Sequence, residues 1–127
     1  MNLRPRRFGN TVVLSPSGRI DHGTSEGFKV ALLEQVGTCA AGKDSVVLDM
    51  GGVEYIASTG LRALMLASRQ VKAQGGTLVT AALQPVVREV FEIARFTLVF
   101  KTFLSVRDAL ADISPDGLAA FEAAGSR

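Results

Sequence analysis

Two hydroxyl side chains, Ser58 and Thr59, stand at a point of the chain where they could do chemistry, and Gly60 follows them. A stretch with helical spacing begins there, so these residues are predicted in a helix's first turn, where backbone N–H groups lack partners within the helix. One interpretation is structural, because Ser and Thr are preferred helix caps and such a cap contributes about 1 kcal/mol. The other is a phosphoryl acceptor, since the helix dipole and the free N–H groups favour an anion. Residue types alone leave both interpretations open.

The chain lacks the motifs of common catalytic sites. It contains no GxxxxGK[ST] phosphate loop, no GxGxxG after a strand and no GxSxG elbow. His22 is the single histidine and Cys39 the single cysteine, which is too few for a zinc site, and any nucleophile would depend on His22 alone as its base. Asp44 and Asp49 bracket a strand and stand too far apart for an acid–base pair. The sequence therefore predicts a binding protein and not an enzyme, with no cofactor and no metal.

The hydroxyl pair belongs to a strand–loop–helix unit. Residues 46–50 are a dense apolar run, typical of a strand covered on both faces of a sheet. Residues 51–55 are predicted as a short loop. From Leu61 onward apolar residues recur at spacings of three and four. Gly75 and Gly76 end this helix, because glycine adopts the left-handed conformation found at helix C-termini.

Strands and helices alternate along the rest of the chain. The further predicted elements are short strands at 3–8 and 11–16, a helix at about 24–36, a strand at 77–82, a helix from Pro85, a strand at 97–100 and a helix from Ser105. The order β-β-α-β-α-β-α-β-α predicts an α/β fold in which a central mixed sheet of about five strands carries four helices. Residues 1–115 are predicted to form a single domain, and residues 116–127 a C-terminal tail.

Composition and charge exclude several classes of function. Of the 127 residues 47% are hydrophobic and 20% charged, and no apolar run is long enough for a membrane span. The net charge is only +2, the basic residues are dispersed apart from those at positions 4–7, and Trp is absent. Nucleic-acid-binding proteins concentrate Lys and Arg in a stripe with aromatic residues, so direct binding to DNA or RNA is not expected. A single cysteine and the absence of an apolar signal core predict a cytoplasmic protein.

Several segments together resemble the STAS domain family, which is named for sulfate transporters and anti-sigma factor antagonists. In bacterial antagonists of this family an apolar strand ending in Asp precedes a loop, the motif Asp-Ser-Ser/Thr-Gly-Leu, a helix and a Gly-Gly turn into the next strand. The matching residues here are 46–50, 57–61 and 75–79, and residues 18–21 match the family's Gly-x-Leu/Ile-Asp loop. The resemblance covers roughly residues 8–113 and implies that Ser58 is the phosphoacceptor. Ala57 stands where the family has Asp, so the carboxylate that precedes the acceptor is absent.

The resemblance implies an anti-sigma factor antagonist. Such a domain binds an anti-sigma factor that is also a serine kinase, and binding releases a sigma factor. Phosphorylation of Ser58 by that kinase would switch the domain off, and a phosphatase would restore it. The resemblance also makes Asp21, Thr59, Gly60 and Arg62 candidates, with Ser58, for the surface that docks the partner.

Each candidate also has a purely structural interpretation. Asp21 can be a turn or cap carboxylate, Gly60 can simply fit a tight turn, and Arg62 can be a solvated charge. A function of another class is also open: a STAS subunit of a membrane ABC-type lipid transport complex, in which Ser58 is not phosphorylated. Ala57 and the basic N-terminal residues leave this alternative open. The oligomeric state is not predicted.

Overall fold

The computed structural model describes residues 2–39 and 44–125. Within this part the chain forms seven strands and five α-helices, with one short 3-10 turn. In chain order the elements are β1 (Arg6–Phe8), β2 (Thr11–Leu14), β3 (Ser17–Ile20), α1 (Ser25–Gly37), β4 (Ser45–Asp49), β5 (Gly52–Ile56), α2 (Ser58–Ala73), β6 (Leu78–Ala81), α3 (Pro85–Ile93), the 3-10 turn (Phe96–Leu98), β7 (Thr102–Phe103), α4 (Val106–Ile113) and α5 (Pro115–Ala123).

The main sheet is mixed and has five strands in the order β1-β2-β4-β6-β7. Strands β1 and β2 form an antiparallel hairpin, and each of the remaining neighbours pairs in parallel. This arrangement confirms the predicted α/β fold with a five-stranded mixed sheet. No helix among the described residues is long and apolar enough to cross a membrane.

Helices cover both faces of the main sheet, which explains the dense apolar runs of its central strands. In β4, Val46 and Leu48 belong to the core shared with α1, α2 and α3, while Val47 between them belongs to a second core shared with α4 and α5. Successive side chains of a strand point to opposite faces, so a strand buried on both sides needs apolar residues at every position.

A second, two-stranded parallel sheet joins β3 to β5. The prediction of residues 51–55 as a loop is therefore wrong, because Gly52–Ile56 is a strand that pairs with β3. Its register pairs Ile20 with Ile56, and a bulge falls between Gly18 and Arg19. The pairing joins segments distant in the chain, which short-range periodicity does not reveal.

The predicted strand at 97–100 is also wrong. This segment forms the 3-10 turn, and the edge strand β7 follows it. Phe96 and Phe100 stack with ring centroids 5.5 Å apart, and Phe96 meets Phe91 of α3 edge-on at 5.7 Å. The rings of Phe96 and Phe100 thus pack against α3 and not in the sheet.

The last part of the chain adds a fifth helix to the four predicted. Helix α5 occupies most of the segment assigned to a C-terminal tail, and its Phe121 is buried edge-on against Phe8 of β1 at 5.2 Å between ring centroids. Ser114 caps it, since its hydroxyl accepts a hydrogen bond from the Gly117 N–H at 3.0 Å. The helix therefore packs on the sheet and covers part of the second core.

Cys39 lies fully buried in the first core, and burial raises the pKa of its thiol. Only the thiolate reacts with disulfide reagents, so a buried thiol with a raised pKa reacts slowly. We expect dithionitrobenzoate at pH 8 to modify the native protein about 100-fold more slowly than the protein in guanidinium, where local opening no longer limits access. Equal rates in the two solvents would contradict the burial of this side chain.

Candidate functional site

Helix α2 begins at Ser58, immediately after strand β5 and one intervening residue. That residue, Ala57, is the N-cap, with φ −86° and ψ 169°, and its side chain is 6% exposed. The helix has no side-chain cap. The interpretation of Ser58 or Thr59 as the capping residue is therefore wrong, because both lie inside the first turn and neither hydroxyl accepts from the free N–H groups. Both side chains are exposed to solvent.

The loop that contains Asp21 lies beside the start of α2. The parallel strands β3 and β5 end at the same level, with Ile20 opposite Ile56, and the Ala57 N–H donates to the Ile20 carbonyl at 2.7 Å. Carboxyl ends of adjacent parallel strands lie at one edge of a sheet, and here that edge carries both loops. Strand pairing thus brings together two segments that are far apart in the sequence.

Asp21 holds its own loop in shape. Its Oδ1 accepts hydrogen bonds from the Gly23 N–H at 3.0 Å and from the Thr24 N–H at 3.2 Å. The Thr24 hydroxyl donates to the Arg19 carbonyl at 2.7 Å and accepts from the Asp21 N–H at 3.0 Å. The other oxygen, Oδ2, lies 3.9 Å from Arg19 Nε. Asp21 is half-buried. Its Oδ1 closes the turn that lies beside the start of α2.

Gly60 lies on the inner side of α2. A Cβ atom at this position would stand 2.7 Å from Cγ2 of Ile20 and 2.8 Å from Cγ1 of Ile56. The absence of a side chain lets the helix start rest directly on the ends of β3 and β5. Gly60 therefore sets the height of Ser58 above the strands, and its own backbone is buried.

Arg62 is exposed one turn after Ser58. Residues four apart on a helix lie on the same side, so its guanidinium and the Ser58 hydroxyl share one face. The structure thus divides the five candidates: Ser58, Thr59 and Arg62 face outward, Asp21 shapes the neighbouring loop, and Gly60 faces inward.

Residues outside the predicted set also shape the site. The Arg19 guanidinium lies over the Tyr55 ring, 4.7 Å from its centroid, and ties β3 to β5. The turn before β5 is held by Asp49, whose Oδ1 accepts from the Gly51 N–H at 3.0 Å, and by Gln84, whose Nε2 donates to the Gly51 carbonyl at 2.8 Å. The sequence signal for Tyr55 was the alternation of Val53 and Tyr55 with the charged Glu54 between them.

This arrangement leaves the Ser58 hydroxyl exposed, so that it can accept a transferred group. The described residues include no group of three His, Cys, Asp or Glu side chains placed to hold a metal ion. Helix α2 contains no acidic residue, so the positive end of its dipole is not offset by carboxylates of its own. An anionic group on Ser58 would therefore lie in a favourable field.

Comparison with known proteins places the chain in one family. The chain matches the STAS domain over residues 2–109. It is 35% identical over 100 residues to a Bordetella bronchiseptica protein named anti-sigma factor antagonist BtrV, covering 79% of this chain and 84% of that protein.

Solved structures share the fold at low sequence identity. The Thermotoga maritima protein TM1081 superimposes with a TM-score of 0.78 at 15% identity, over 87% of this chain and 93% of that one. The Bacillus cell fate determinant SpoIIAA in its phosphorylated form has a TM-score of 0.60 at 16% identity, over 85% of this chain and 96% of that one.

Proposed function

The chain belongs to the STAS domain family, and on that premise we propose that it is an anti-sigma factor antagonist, which binds an anti-sigma factor with serine kinase activity and is switched off by phosphorylation of Ser58. The observation that carries the proposal is the placement of Ser58. Its hydroxyl is exposed at the start of α2 and does not cap the helix, so the fold does not require it. The similarity to BtrV, a protein named for this function, supports the same assignment.

The proposed reaction is phosphoryl transfer from ATP held by the kinase. The Ser58 Oγ forms a bond to the γ-phosphorus, the bond to ADP breaks, and the hydroxyl proton passes to a base of the kinase. Because the side chain lies on the surface, both a kinase and a phosphatase can reach the same oxygen.

Phosphorylation would end the complex by changing the charge of a contact surface. A phosphoryl group adds about two negative charges and three acceptor oxygens. In a docked surface these charges must be desolvated and face whatever charge the partner presents. A difference of about 3 kcal/mol between the two forms changes the dissociation constant more than 100-fold. Ser58, Thr59 and Arg62 would contact the partner, while Asp21 and Gly60 would hold the two loops in place.

The test is a set of three baits in lysate of the native host: wild type, Ser58→Ala and Ser58→Asp, with bound proteins identified by mass. We expect wild type and Ser58→Ala to retain an ATP-binding, kinase-like protein that Ser58→Asp loses. Retention of the same transport subunits by all three baits would assign the chain to the ABC-type transport class and reject the antagonist proposal.

Ala57→Asp is expected to speed phosphorylation of Ser58 by the cognate kinase. An Asp at the N-cap can accept the free N–H groups of the first turn, which stabilises the helix by about 1 kcal/mol and restores the carboxylate that the family places before the acceptor. Initial rates of phosphate transfer and thermal unfolding measure the two effects separately.

Ala57→Asn is the matched control, because it supplies a cap without a charge. A faster rate with Asp alone would assign the effect to the carboxylate, and a faster rate with both would assign it to the cap. An unchanged or slower rate with Ala57→Asp would show that Ala57 does not limit the reaction.

A further inference from the structure

The outward side of α2 beyond Ser58 is basic. Arg62, Arg69 and Lys72 are exposed, and the helix carries no acidic residue. Arg62 lies one turn after Ser58 and Arg69 two turns after Arg62, so these three residues fall on one side of the helix, with Lys72 beside them. We call the surface of Arg62, Arg69 and Lys72 the basic face.

The charges of the basic face have no acidic partner within 4 Å in the described part of the chain, whereas five cations elsewhere in that part are paired. Five ion pairs occur there within 4 Å, and none includes a residue of α2; they are Arg7–Asp44, Arg19–Asp21, Lys29–Glu26, Lys101–Asp112 and Arg107–Glu122. Helix α1 balances Lys29 with Glu26 one turn away, whereas α2 leaves all three cations unbalanced. Like charges on one helix face repel, so this arrangement does not stabilise the isolated domain.

Apolar surface borders the basic face. Leu66 lies between Arg62 and Arg69 and is 37% exposed. Beyond Lys72 a shallow cleft of about 170 Å³ separates α2 from the segment after α3, and its wall includes Ser68, Lys72 and Val99, which is 52% exposed. Exposed cations next to apolar side chains are the composition of a protein contact surface, in which Arg is enriched.

We propose that the basic face docks a complementary acidic surface of the anti-sigma factor, an inference that rests on the proposed function. Charge complementarity points to an acidic partner surface, because three unpaired cations on one face favour carboxylates opposite them. Charge complementarity also explains why phosphorylation would weaken binding. A phosphoryl group on Ser58 lies one turn from Arg62, where it offsets the positive charge of the face and repels the partner's carboxylates.

The test uses the purified anti-sigma factor identified with the wild-type bait and follows association by stopped flow at three salt concentrations. The variant Arg62→Glu/Arg69→Glu reverses two charges of the basic face. Arg4→Glu/Arg6→Glu makes the same change in net charge on and just before β1, and neither residue belongs to the five ion pairs above. We expect the first variant to lower the association rate constant about 10-fold or more at low salt and to flatten its salt dependence, because steering acts through local charge. The control variant should stay within about 2-fold of wild type.

The outcomes separate this inference from the proposed function. If Ser58→Asp abolishes binding while the basic-face variant binds with the wild-type rate and salt dependence, the inference is overturned and the antagonist assignment stands. An equal loss with the control variant would assign the effect to net charge and would also overturn it. If the wild type self-associates and the basic-face variant does not, the basic face binds a second copy of the chain. That result would also overturn the inference. If no bait retains a kinase-like protein, both proposals fail together.

Discussion

The Ser58→Asp variant is expected to bind the anti-sigma factor at least about 100-fold more weakly than wild type while keeping its fold. The side chain is exposed and makes no capping bond, so its replacement leaves packing unchanged. A carboxylate in the first turn interacts favourably with the helix dipole by about 0.3–1 kcal/mol, so the unfolding temperature should be equal or slightly raised. Titration calorimetry with the purified partner measures the affinity, and thermal unfolding checks the fold.

Ser58→Asn and Ser58→Ala are the controls for size and for loss of the hydroxyl. Asn has nearly the volume of Asp without its charge, so we expect it to retain most of the affinity. Ser58→Ala should bind like wild type and resist inactivation by the kinase with ATP. Equal affinities of Ser58→Asp and wild type would reject Ser58 as the control point.

The largest loss of stability is expected for Gly76→Ala. The chain leaves α2 through a Schellman motif, in which the Gly75 N–H donates to the Lys72 carbonyl at 3.0 Å and the Gly76 N–H to the Val71 carbonyl at 2.9 Å. A Cβ at Gly76 would overlap the Asp44 carbonyl oxygen and approach Val71 Cγ1 to 3.1 Å. The obstacle is the backbone just before β4, which cannot rotate away as a side chain can. We expect a loss of about 3 kcal/mol in the free energy of unfolding and a melting temperature about 10 °C lower.

Substitutions at two other glycines give reference values for the loss in the free energy of unfolding. Gly75 has φ +88°, so Gly75→Ala should cost about 1 kcal/mol through backbone strain alone. Gly37, at the end of α1, offers room, since a Cβ there meets only Gln70 Nε2 at 3.7 Å, and Gly37→Ala should cost little. Urea unfolding of the three variants compares them on one scale. If Gly76→Ala lowers the free energy of unfolding no more than Gly37→Ala does, the close approach of Gly76 to Asp44 is contradicted.

Residues 46–50 illustrate how much of the fold is readable from local pattern. The uninterrupted apolar run predicted a strand covered on both faces, and β4 lies between the two cores. The helical spacing after Ser58 and the helices from Pro85 and from Ser105 were predicted in the same way and are present. These features depend on residues within a few positions of each other, so the sequence contains the information directly.

Residues 51–55 illustrate what local pattern leaves out. Whether they form a loop or a strand depends on pairing with β3, more than thirty positions earlier in the chain. The same pairing decides that Asp21 lies beside Ser58. Likewise, Phe96 and Phe100 have strand-forming side chains, but Phe96 begins a 3-10 turn and both rings pack against Phe91 of α3.

Periodicity and turn residues act over short distances, so the α/β order, the buried central strand and the hydroxyl pair at the start of a helix are readable from the chain alone. That Ala57, and not Ser58, is the N-cap becomes apparent only in the folded molecule. A shift of one residue at this point separates a hydroxyl bound to the backbone from one that is free. At this point Gly60 packs against Ile20 and Ile56, a contact among three elements whose closeness no local spacing encodes.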